Sequence, residues 1–64
     1  MFVTVVKTNL SRCDYKITVI QNGRQVKADE IKGDAGQAAA WALNLASKYN
    51  NARIVAPADV EALL

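Results

Sequence analysis

Apolar and polar positions alternate through residues 15–21 and again through 24–31, and Asn22-Gly23 stands between the two runs. Asn-Gly supplies two residues that tolerate positive φ, as a two-residue type I′ turn requires, so the segment reads as a β-hairpin closed by Gln21 and Arg24. The pairs expected behind the turn are Val19–Val26, Thr18–Lys27, Ile17–Ala28 and Lys16–Asp29. In that register Ile17, Val19, Val26 and Ala28 share one face. Lys16, Thr18, Lys27 and Asp29 share the other, with Lys16 facing Asp29 as a favourable cross-strand pair.

Residues 2–8 are rich in β-branched side chains and read as a further strand, in which Phe2, Thr4 and Val6 compete with Val3 and Val5 for the inward face. If Val3 and Val5 face the core, Phe2 and Val6 join Ile20 in an apolar patch on the outer side of the sheet. The polar connection over residues 9–14 is short enough to join antiparallel neighbours.

After Lys32-Gly33 the period lengthens. Asp34 is a good N-cap and Gln37, three residues on, can return the capping-box bond, so a helix is predicted over residues 35–49. Ala35, Ala38, Trp41, Ala42, Leu45, Ala46 and Tyr49 form its apolar stripe. The alanines permit close approach to the sheet. Trp41 is expected to fill the space against Ile17, Val19 and Val26. Asn50-Asn51 can stop the helix in the left-handed conformation. A short strand follows over residues 53–56, and Pro57 suits the first turn of a terminal helix over residues 58–63. The pattern predicts one α+β domain over residues 1–64, in the order β-β-β-α-β-α, with an antiparallel sheet covered on one face by one amphipathic helix.

Composition narrows the chemistry. A chain of 64 residues holds a single core, and 52% hydrophobic content places it among folded rather than disordered chains. The net charge of +2 is spread without a basic run, so it gives little indication of a polyanionic partner. Cys13 is the only cysteine and there is no histidine, which excludes an intrachain disulfide, the Ser-His and Cys-His nucleophile pairs and a zinc-type ligand set. These features suit an intracellular, cytoplasmic protein, and no apolar run is long enough to span a bilayer.

Asp29 and Glu30 point to opposite faces of a strand, and Asp59 and Glu61 are two apart on a helix, so neither pair meets as a general acid and base. Gly33-Asp34-Ala35-Gly36 reads as a helix cap, because Asp34 would repel a phosphate. Cys13, beside Arg12, reads as an ordinary thiol. No catalytic, cofactor-binding or metal-binding residue emerges, and no small-molecule substrate is evident.

The sequence therefore points to a non-enzymatic interaction protein that binds a protein partner or its own copy through a sheet face or edge. The outer hairpin face would carry that contact through Ile20, Lys16, Thr18, Arg24, Gln25 and Lys27. The alternative is a small nucleic-acid-binding domain that lays the same face, with Lys16, Arg24 and Lys27, against a phosphate backbone or groove.

Overall fold

A computed structural model describes residues 1–64. Strands β1 (Phe2–Lys7), β2 (Tyr15–Gln21) and β3 (Arg24–Ile31) are followed by helix α1 (Ala35–Lys48), strand β4 (Arg53–Val55) and helix α2 (Ala58–Glu61). The sheet order is β3-β2-β1-β4. β1 runs antiparallel to β2 and parallel to β4. The sheet is therefore mixed rather than wholly antiparallel. A parallel neighbour needs a crossover, and α1 is that crossover. No helix is long and apolar enough to cross a membrane.

The turn forms as its residues require, with Asn22 at φ 53° and Gly23 at φ 75°. Gln21 pairs with Arg24 and Ile20 with Gln25, but Val19 then pairs with Lys27. Val26 is thus an extra residue, a β-bulge that reverses the facing of everything beyond it. Ile17 lies opposite Asp29, Thr18 opposite Ala28 and Lys16 opposite Glu30, so the expected pairing of these residues is displaced by one. The physical reason lies at the far end of the strand. The bulge brings Ile31 beside the buried Tyr15 and into contact with the core, whereas a bulge-free register would turn it to water. Val26 and Ala28 lose little in exchange, because no element lies over the middle of β3 to bury them.

In β1 Val3 and Val5 face inward and are buried. With Tyr15, Ile17 and Val19 they meet Ala38, Ala39, Ala42, Leu45 and Ala46 of α1, and Val60 of α2 closes the core. Removing such a branched side chain from water is worth about 1.5–3 kcal/mol. The stripe of α1 is rotated from the expected one. Ala39 is inside, while Trp41 is 47% exposed and lies on the flank of the helix toward β3. Because four of the five buried helix residues are alanines, the backbone sits close to β1 and β2 and leaves no room for an indole beneath it.

Asp34 caps α1 by accepting from the Gln37 backbone N–H at 2.9 Å. Gln37 makes no return bond. Its side chain folds over Gly33, so closely that a Cβ at that position would displace it. Asn50 and Asn51 both adopt positive φ and end the helix, and the Ala52 N–H returns to the Ala46 carbonyl at 3.1 Å. Pro57 is the N-cap of α2 rather than its first residue, and α2 is shorter than expected.

Two stability measurements check this arrangement. Nothing lies within 4 Å of a Cβ built at Gly23, so Gly23→Val should cost about 1–2 kcal/mol through backbone strain alone. Ile17→Ala should cost about 2–5 kcal/mol, and Trp41→Ala far less. Denaturant unfolding of the three variants gives the order directly, and a Trp41→Ala loss equal to that of Ile17→Ala would return the indole to the core.

Candidate functional site

α1 and α2 occupy one side of the sheet, and no helix covers the other. Strand alternation brings Phe2, Thr4 and Val6 from β1, Lys16, Thr18 and Ile20 from β2, and Arg53 and Val55 from β4 to that bare face. Phe2 lies directly opposite Ile20, and Thr4 opposite Thr18. The two threonine hydroxyls hydrogen-bond to each other, which lowers the cost of covering them with apolar surface. Around them Phe2 is 44%, Val6 58% and Val55 51% exposed. Neighbouring apolar side chains left in water on one surface are the usual mark of a contact site.

Of the six residues expected to mediate binding, Ile20, Lys16 and Thr18 lie on this face, and Gln25 joins them opposite Ile20. Arg24 is exposed beside the turn. Lys27 is not among them. The bulge sends it to the helix side, where it pairs with Asp29 at 3.8 Å. Its place opposite Thr18 is taken by Ala28, and Lys16 faces Glu30, so the outer face is less basic and more apolar than the bulge-free register implies. Phe2 and Val6 were legible as conditional members of the patch. Val55 and Arg53 were not, because their facing depends on a parallel pairing made from the other end of the chain.

On the helix side, α1 leaves β3 open and an elongated groove of about 940 Å³ runs between them. Ile31, Leu45 and Trp41 form its apolar part, with Lys27, Lys32 and Lys48 around the margin. The Trp41 indole N–H donates to Asp29 at 3.2 Å. Glu30 is held by Arg12 at 3.0 Å, and the Lys32 ammonium donates to the Ser11 carbonyl at 2.7 Å. The free edge of β3 forms the outer wall of this groove.

Two polar clusters bring side chains of reactive type together. Cys13 is buried, with its sulfur 3.5 Å from the Thr8 hydroxyl and 3.8 Å from Glu30, so it packs the loop between β1 and β2. Tyr15 donates to Asp59 at 2.6 Å, with Lys7 3.8 Å from the same carboxylate oxygen. That hydrogen bond, reinforced by burial, pushes the Tyr15 phenol up to about 12. It also holds Asp59 below the usual carboxylate value. A phenol kept protonated in this way cannot serve as a base at neutral pH; it fastens α2 to β2.

Stability should consequently fall at both ends of the pH range. The Asp59 contribution is present above the ordinary carboxylate value of 3.8 and is lost as the pH falls through its lowered value. The Tyr15 contribution is complete below the ordinary 10.0 and is lost as the pH rises toward about 12. Tyr15→Phe should flatten both limbs of a denaturation profile against pH and move the Asp59 titration, read by NMR, upward. An Asp59 titration that stayed in place would show that the phenol does not hold it.

Comparison with known proteins finds no matching family, no curated relative and no similar solved structure.

Proposed function

We propose that this chain is a non-enzymatic interaction domain that receives another protein, or a copy of itself, on its sheet. The observation that carries this reading is the bare outer face, where Phe2 and Ile20 pair beside exposed Val6 and Val55. A sheet with helices on only one side leaves half of its surface without a protein layer, and a partner with an apolar surface supplies one. Two features favour protein over nucleic acid. Lys27 points to the other side and Arg12 is ion-paired with Glu30, which leaves Lys16, Arg24 and Arg53 as a sparse basic set. Phosphate binding draws its affinity from the number of charges neutralised, and three separated cations supply little.

A photocrosslinking side chain placed at Ile20 or Val55 should form discrete protein adducts in cells, and one placed at the exposed Ser47 of α1 should not. Phe2→Lys should abolish the adducts while the fold is retained. Absence of adducts from every outer-face position would overturn the reading. Retention on duplex or single-stranded probes that weakens with salt and with Lys16→Glu would replace it with the nucleic-acid alternative.

A further inference from the structure

We infer that the free edge of β3 is an interface for a second copy of this chain, which joins antiparallel with Ala28 on the two-fold axis and extends the sheet to eight strands. This contact is separate from the outer face, and either can fail without the other. None of the eight residues of β3 is buried, and one long side of the strand has no hydrogen-bonding neighbour in the sheet. Such an edge is a template for another strand, and charged side chains on it decide which strand and which register are accepted.

The charges of β3 select its own copy. Lys27 and Asp29 flank Ala28 and share the helix-side face, one opposite Val19 and the other opposite Ile17. With Ala28 on the axis, Lys27 meets the partner's Asp29 and Asp29 meets the partner's Lys27, so the favourable cross-strand pair is made twice. Moving the axis by one residue reverses this. An axis at Lys27 sets lysine against lysine, and an axis at Asp29 sets carboxylate against carboxylate. The register is therefore specified by what it excludes as well as by what it pairs. The bulge at Val26 ends the flat part of the strand beyond this pairing and limits the ladder to its central residues.

Trp41 lies beside the same edge. It is half in water on the wall of the groove, and its N–H is tied to the same Asp29. With α1 lying over β1, flanked by β2 and β4, and strands about 4.8 Å apart, joining two sheets at β3 sets the helix axes about 24 Å apart. Helices about 10 Å across then leave roughly 14 Å between their surfaces. Two indole rings, one from each copy, extend into that gap from its two walls. The two grooves then face each other across the joined β3 strands, between the two α1 helices.

Trp41 is the only tryptophan, so its emission reports on this interface alone. Sedimentation equilibrium of the full chain from low to high micromolar concentration should show conversion from a 6.9 kDa monomer to its dimer. The emission should shift to the blue and resist acrylamide quenching over the same range. Lys27→Asp and Asp29→Lys should each weaken the homodimer roughly tenfold or more, because each sets like charges together at both pairs. Mixed in equal amounts, the two variants should form a heterodimer of near-parental strength, since all four facing charges are again opposite; misfolded chains would not recover in this way. A chain that stays monomeric throughout, a dimer indifferent to both charge reversals, or variants that fail to recover on mixing would overturn the proposal. So would a dimer dissociated by Ile20→Lys but untouched at β3, which belongs to the outer face.

Discussion

One helix is narrower than the sheet beneath it, and the rest of the structure is arranged around that mismatch. Side chains included, a helix covers about 10 Å, whereas four strands extend over nearly twice that width. α1 therefore cannot cover every strand, and the alanine-lined surface of Ala38, Ala39, Ala42 and Ala46 seats it on β1, with β2 and β4 on either side. Val60 of α2, which is fully buried, closes the end of the core where Tyr15 and Lys7 meet Asp59. β3 receives no roof. The core is consequently off-centre, dense over the middle strands and absent over one edge.

The bulge at Val26 adapts the hairpin to that asymmetry. A strand with no helix above it gains nothing by turning valine and alanine inward, and charged residues can stand there in contact with water. Shifting the register gives the inner positions to Lys27 and Asp29 and brings Ile31 to the place where α1 begins. The same shift moves Ala28 to the outer face in place of a lysine. One inserted residue thus makes one side of the hairpin more polar and the other more apolar, and both candidate contact surfaces take their character from it.

The turn, the cap and the helix span were legible because each is decided by neighbours in sequence. Asn22-Gly23 and Asn50-Asn51 supply positive φ, and Asp34 captures the N–H of Gln37, within a few residues of each other. The bulge was hidden because Val26 fits an unbroken alternation, and the deciding contact of Ile31 depends on where a helix later in the chain begins. The position of Trp41 was hidden for a related reason. Periodicity places it on the stripe, but the width of the sheet and the small residues beside it determine which edge of the stripe is buried. The parallel pairing of β4 leaves no sign in three residues, so the full extent of the outer face was visible only from the fold.

β1 lies in the interior of the sheet although it is made from the first residues of the chain. It gains one neighbour from β2, but Val3 pairs on its other side with Ile54, which lies near the opposite terminus. Contacts of this separation in sequence close late, because the loop entropy is spent before the pairing repays it. During synthesis the hairpin and α1 can form while β1 still has an open side. The parallel strand thus acts as a latch on assembly, since β1 ceases to be an edge only when β4 reaches it.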